Sequence, residues 1–175
     1  VLPSGMTHLW VADDQDAWVA ASIVQELGDG GVLVPKPSGQ RVTLTAAQRA
    51  NSEVVDDTSY AHTLDNLVDL ESFGEGVILH QCGRRFEKGE IYTFVGPILI
   101  SVNPFKYIES LYRPELMAEC RRFAPGHPDR PAHTFSMAEA AYQQLTKQRH
   151  SQSLVVSGES GAGKTEVNKQ CMNYL

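Results

Sequence analysis

Eight residues carry the clearest chemistry in this 175-residue chain: Gly158, Glu159, Ser160, Gly161, Ala162, Gly163, Lys164 and Thr165. They fit G-x-x-x-x-G-K-[ST], the pattern of a phosphate-binding loop, or P-loop. A triphosphate needs many hydrogen-bond donors aimed at one spot. Glycines let the backbone wrap tightly, so successive N–H groups converge on the phosphates. A helix beginning just after the loop adds its positive dipole end. Lys164 is then the catalytic cation, expected to reach the β- and γ-phosphates. The Thr165 hydroxyl is the expected ligand for Mg²⁺.

Such a loop needs a strand before it and a helix after it. Ser153-Leu154-Val155-Val156-Ser157 is a short apolar, β-branched run and reads as a buried parallel strand. Downstream, Val167, Cys171 and Leu175 recur at i, i+4 and i+8 with Met172 beside them, one apolar face of a helix. The bland alternative is a glycine turn. The four fixed positions would match by chance in under roughly one percent of chains this long.

Further upstream, Ser136-Met137-Ala138-Glu139 has the form of a capping box, with Ser136 as N-cap and Glu139 at N3. Ala138, Ala141, Tyr142 and Leu145 form the buried stripe of a helix expected to end near Arg149. Ile91–Val95 and Ile98–Val102 read as two strands around a Gly96-Pro97 turn. Pro104 ends the second strand, having no N–H for a ladder. Residues 113–122 suggest a short helix. Leu64, Leu67, Val68 and Leu70 suggest a short helical or irregular piece, followed by Val77, Ile78 and Leu79.

Residues 1–50 read as all-β. Strands are expected at Leu9–Ala12, Ala17–Val24, Val32–Val34 and Arg41–Leu44. The turns between them hold Asp13-Asp14-Gln15-Asp16, Asp29-Gly30-Gly31 and Ser38-Gly39. Short strands with tight turns suggest a small barrel. Trp10 and Trp18 fit core or contact positions better than ligand stacking. The polar stretch 51–62 reads as a linker, and 63–175 as the second domain.

Composition sets outer bounds. Charged residues make up 21% and hydrophobic ones 42%, ordinary for a soluble globular protein. A net charge of −6 implies no general affinity for nucleic acid or an anionic membrane. No run is long enough for direct membrane insertion, and no secretory signal is visible. Cys82, Cys120 and Cys171 are widely spaced and odd in number, which suggests reduced thiols inside a cell.

Taken in order, these motifs resemble the myosin motor domain. The P-loop and the following Glu166 match that family in the interior residues as well as the glycines. Ile91-Tyr92-Thr93 and Ile100-Ser101-Val102-Asn103-Pro104-Phe105 resemble the segment ending in the family's purine-binding loop. Pro131-Ala132-His133-Thr134-Phe135 resembles the approach to the P-loop strand. Asp65–Leu70 looks like the start of the motor core, and the N-terminal barrel resembles the SH3-like domain that precedes many of these motors. The resemblance implies an α/β P-loop NTPase fold with a mainly parallel sheet, preceded by the barrel.

It also implies that ATP and Mg²⁺ are the ligands and that Asn103, Pro104, Lys106, Tyr112 and Glu166 contact adenine. Each has a plainer role available. Pro104 can simply end a strand, Tyr112 can pack, and Glu166 can stabilise a helix N-terminus by its charge. Glu109 departs from the family pattern, standing where proline is common; so do Val167 and Asn168 after the Thr-Glu pair. The implied activity is ATP-driven movement on actin filaments, with light chains or calmodulin on a neck and a cytoplasmic, cytoskeletal location. The family's switch motifs and actin-binding surface do not occur in these 175 residues. The chain is therefore expected to be the nucleotide-gripping beginning of a motor, poorly stable and inactive alone. A P-loop kinase or a partner-docking module is the competing reading.

Overall fold

The computed structural model describes residues 7–36 and 38–175. Residues 1–6 of the expected barrel, and residue 37, lie outside the described residues. The chain divides into two compact units, taken here one at a time. One comprises the residues up to Leu64 together with Asp69–Arg85; the other comprises Asp65–Val68 with Phe86–Leu175.

The first unit begins with strands β1 (His8–Asp13) and β2 (Ala17–Ser22), an antiparallel pair with Asp13 opposite Ala17. The acidic turn closes because the Asp13 Oδ1 accepts from the amides of Gln15 at 2.9 Å and Asp16 at 3.1 Å. Strands β3 (Gln25–Glu26), β4 (Val32–Pro35) and β5 (Arg41–Leu44) form a second antiparallel sheet. The Asp29-Gly30-Gly31 signal marks the β3–β4 connection. There Gly30 takes φ 83°, which favours glycine, and Asp29 Oδ1 accepts from the Gly31 amide at 2.9 Å.

Alternate residues of both sheets point into one core of Leu9, Val11, Val19, Ala21, Val32, Val34 and Leu44. The expected closed barrel is not formed by the described residues. The outer edge of β1 bonds to residues 53–55 instead of to another strand of the sheets. Trp10 N donates to the Glu53 carbonyl and Val55 N to that of His8, both at 2.9 Å.

Two short helices, α1 (Ala46–Asn51) and α2 (Asp57–Ala61), follow β5. Thr45 caps α1 in a reciprocal box with Gln48, and Asp56 caps α2 through the Ser59 amide. Helix α3 (Glu75–Glu87) covers the second face of β1. Trp10 lies against Gly76, where an added Cβ would sit 2.7 Å from the indole ring. Tyr60 and His80 stack at 4.3 Å beside that indole, so Trp10 is a core residue, 3% exposed. Gln81, wholly buried, donates to the carbonyls of Ser59 and His62 and accepts from Leu64 N at 3.0 Å. That side chain supplies backbone partners a loop would otherwise lack.

The second unit holds the hairpin of β6 (Tyr92–Val95) and β7 (Ile98–Ser101). Gly96 at its turn takes φ 57°. A 3₁₀ turn (Glu109–Tyr112) leads to helix α4 (Pro114–Arg122), with Pro114 at its first turn. Helix α5 runs Thr134–Gln148 and helix α6 runs Lys164–Tyr174. Cys120, Phe135, Ala138, Cys171 and Tyr174 form the core joining the three helices.

Three sequence expectations change here. Helix α5 starts two residues before the expected box. Its N-cap is His133, whose Nδ1 accepts from Phe135 N at 3.0 Å. Ser136 is fully buried and its hydroxyl donates to the Pro131 carbonyl at 2.7 Å, while Glu139 accepts from Tyr174 and Gln143. The segment Ser153–Ser157 forms no strand, since no ladder reaches it from the described residues, and Val155 is 88% exposed. On α6 the buried face is Gln170, Cys171 and Tyr174, whereas Met172 and Leu175 are exposed. Tyr174 decides this, by stacking on Phe135 at 5.4 Å.

Candidate functional site

The loop from Gly158 to Gly163 turns tightly because two of its glycines adopt left-handed backbone: Gly161 at φ 79° and Gly163 at φ 94°. Ala162 N donates to the Glu159 carbonyl at 3.2 Å, and Val167 N to the Gly163 carbonyl at 3.1 Å, so the loop passes directly into α6. The Lys164 ammonium reaches back over it, donating to the carbonyls of Gly158 at 2.8 Å and Glu159 at 2.7 Å. Thr165 stands exposed in the first turn of α6, with Glu166 next to it. Amides and a cation at the N-terminus of an eleven-residue helix are chemistry suited to anionic oxygens.

A second loop docks onto the first. Asn103 Nδ2 donates to the Gly161 carbonyl at 2.7 Å across 58 residues of sequence. Its Oδ1 accepts from Phe105 N at 2.9 Å, fixing the turn that follows β7. The Asn103 side chain also lies 3.7 Å from where a Cβ on Gly163 would be, so any side chain there would meet it.

Beyond Asn103 the residues expected at the base divide. Pro104 is half-buried beside the bond, and Lys106 points to solvent. Tyr112 is half-buried, and its hydroxyl shares a hydrogen bond with Tyr92 at 3.1 Å. Burial pushes both phenols up, and the Glu166 carboxylate adds to the rise. Glu166 accepts from Gln170 at 2.6 Å.

Two further aromatic residues escaped sequence reasoning. Tyr107 stacks on Tyr112 with ring centres 5.4 Å apart and remains 67% exposed. His133 packs its ring edge-on to Tyr92 at 4.6 Å and to Tyr112 at 5.8 Å. Burial holds the imidazole down to about 4, although the Leu111 carbonyl partly offsets it, so the ring is neutral near pH 7. The neutral ring accepts the α5 N-cap bond and so ties the helix to the Tyr112 wall. The exposed ring at 107 was visible as a residue type, but no spacing rule links 92, 112 and 133.

Residues 64–175 match the myosin head (motor domain) family. The chain belongs to the myosin motor-domain family. Among curated relatives it is 38% identical to Myosin-6 of Arabidopsis thaliana, over 99% of this chain and 11% of that protein. It is 34% identical to the high molecular weight form of myosin-1 of Acanthamoeba castellanii, over 95% of this chain and 10% of that protein. Myosin-13 of Arabidopsis thaliana is 38% identical over 95% of this chain and 11% of its own length. The chain therefore spans about a tenth of the length of the curated myosins it matches. Among the described residues no helix is long and apolar enough to cross a membrane, and no cluster of acidic, His and Cys side chains could hold a metal. In P-loop enzymes magnesium is held by the loop's Ser or Thr hydroxyl, by phosphate oxygens and by a carboxylate from a further element; of that set, this loop supplies the Thr165 hydroxyl.

Proposed function

We propose that this myosin chain grips Mg-ATP for an actin-based motor. Gly158–Thr165 wraps the phosphates, with Lys164 carrying charge to the β- and γ-phosphates and Thr165 ligating Mg²⁺. Magnesium, when bound, neutralises charge on the transferring phosphoryl group. Asn103 and Pro104 set the rim of the base site, Tyr112 offers its ring to the purine, and Glu166 and Lys106 supply polar contacts at its edge. The observation that carries the reading is the Asn103–Gly161 hydrogen bond. It joins a loop of phosphate-binding type to a loop bearing an aromatic wall, which is what a nucleotide with two chemically different ends requires.

In the full-length protein this site would belong to an ATPase working on actin filaments, cytoplasmic and cytoskeletal, with light chains or calmodulin on its neck. The domain reading goes with it: an SH3-like module over 1–50, a connecting stretch 51–62, and the motor core from 63 onward. The two-sheet core of the first unit supports the SH3-like assignment in its strand order and tight turns.

The test is Mg-ATP turnover by the full-length protein with and without actin filaments. Lys164→Ala should lower turnover by at least about 10²-fold, the size of effect seen when one preorganised hydrogen-bond donor to developing negative charge is removed. Normal turnover in that variant would sink the assignment. The 175-residue chain alone should turn over ATP negligibly.

A further inference from the structure

The loop from Asn103 to Tyr112 has two ends. The first is tied to the P-loop by the Asn103–Gly161 bond. The second carries Tyr112 on a four-residue 3₁₀ turn (Glu109–Tyr112) that has no side-chain cap. Such a short turn has poorer hydrogen-bond geometry than an α-helix, so the ring of Tyr112 must be oriented by tertiary contacts. Tyr107, His133 and Phe135 meet that ring with centres 5.4, 5.8 and 6.2 Å away. These contacts confine the ring. Its hydroxyl is held by a different residue, Tyr92, at 3.1 Å.

The place of Tyr92 in the hairpin gives that bond its consequence. Tyr92 is 3% exposed and stands on β6 directly opposite Ser101 of β7. Beside it, the Ile91 carbonyl accepts from Val102 N at 2.9 Å. The strand that carries Tyr92 therefore also fixes the two residues before Asn103. His133 packs edge-on to the Tyr92 ring at 4.6 Å, which steadies the phenol from the N-cap of α5. Burial pushes both phenols above the ordinary range, so both keep their protons and the bond persists through neutral pH.

We propose that Tyr92 is a positioning residue for base recognition: its hydroxyl sets Tyr112 in register with Asn103, so that both ends of the loop close on one purine. The proposal rests on the reading of Tyr112 as part of the base site. Tyr92 itself touches no nucleotide and acts through Tyr112. Its influence should fall on the base end of the ligand and leave the phosphate end alone, because Lys164 and Thr165 are held by α6 and the P-loop.

The experiment uses the full-length protein and compares Mg-ATP with Mg-tripolyphosphate, which offers the same phosphate chemistry and no base. Tyr92→Phe keeps the ring and deletes the hydroxyl. KM for ATP should rise about 5-fold, the equivalent of one neutral hydrogen bond, with kcat little changed. The inhibition constant of tripolyphosphate should stay at the parent value. The variant lacking both hydroxyls, Tyr92→Phe with Tyr112→Phe, should match Tyr112→Phe alone, since the two residues act as one unit. An unchanged KM in Tyr92→Phe, equal weakening of ATP and tripolyphosphate, or additive losses in the double variant would overturn the proposal. Tyr112→Ala separates this failure from a failure of the base-site reading. If Tyr112→Ala keeps the parent preference for ATP over tripolyphosphate, Tyr112 does not meet the base and both readings fall. If that preference is lost in Tyr112→Ala but kept in Tyr92→Phe, the role of Tyr92 falls alone.

Discussion

In the first unit of this myosin chain, the main apolar core and most turn and helix-end hydrogen bonds close on residues of the unit itself, with Val24, Val54 and Phe73 left 50%, 56% and 57% exposed. Both faces of β1 are covered: Leu9 and Val11 point into the two-sheet core, while His8 and Trp10 are buried on the other side. Side chains of Asp13, Asp29, Asp56 and Gln81 fill the backbone gaps at turns and helix ends. The second unit is built the other way. Its extended segment Ser153–Ser157 has no ladder partner among the described residues. Ile98, Val155, Met172 and Leu175 leave large apolar side chains 63%, 88%, 77% and 66% exposed. What side-chain contacts join there is the junction of loops around Gly161 and the wall of rings behind Tyr112. One region invests its sequence in its own core, the other in positioning a site.

The largest test of that contrast sets two residues of the second unit against each other. Phe135 is wholly buried and touches His133, Tyr112 and Tyr174, so Phe135→Ala should cost about 3–5 kcal/mol. Val155→Ala in the same 175-residue chain should be within about 0.5 kcal/mol of neutral. Urea unfolding of the two variants measures both. A large cost at Val155 would mean that the segment is already packed, and the contrast between units would fail.

In the first unit the matching probe adds volume. Gly76→Ala puts a methyl group 2.7 Å from the Trp10 indole, and the expected cost is about 1–3 kcal/mol, read as a lower urea midpoint with reduced protection of β1 amides from exchange. A neutral outcome would show that α3 can slide on β1, and that the first unit is less tightly closed than its hydrogen bonds suggest.

How much of this could be seen beforehand depended on the range of the interactions. The hairpin β6–β7 and the turns at Asp13 and Asp29 were legible, because glycine backbone freedom and Asp-to-amide bonds act within four residues. The P-loop was legible for the same reason. Helix α3 was not. Gly76 and Gly83 weaken its helical pattern, and Val77-Ile78-Leu79 looks like a strand in isolation. The Ser136 box was a local pattern overruled by a nearer acceptor on His133 and by the burial of Ser136. Ser153–Ser157 looked like a strand by composition, but strand formation needs a neighbour that composition does not name. At the site, Gly161 came with the P-loop pattern, and Asn103 and Tyr112 by resemblance; the Tyr107 stack and the Tyr92–His133 support are products of tertiary packing.

His133 gives a test through pH. Its folded value of about 4 lies below the ordinary 6.5, so between those limits the unfolded chain holds the extra proton. Stability should therefore be full above about pH 7 and fall as pH drops through 6 and 5. The loss attributable to this ring is about 2 kcal/mol by pH 5. His133→Asn retains a side-chain acceptor for the N-cap and should flatten that part of the curve. An unchanged slope would remove His133 from the account of the ring wall.

The smallest expected effect bears most directly on what the second unit is for. Asn103→Ala deletes the bond to the Gly161 carbonyl and the one to Phe105 N, both near the surface. Each is an ordinary neutral hydrogen bond, so the stability cost should be only about 1 kcal/mol. If the purine loop is held to the phosphate loop by this side chain, the loss should fall on binding. KM for ATP in the full-length protein should rise about 10-fold while kcat changes little, the pattern of an interaction equal in ground and transition states. Asn103→Asp sharpens the point, since its carboxylate can still accept from Phe105 N but cannot donate to Gly161. If the aspartate variant keeps the parent KM, the bond between the loops is incidental and the two ends of the site are positioned independently. If it behaves like the alanine variant, the single amide of Asn103 links base recognition to phosphate grip.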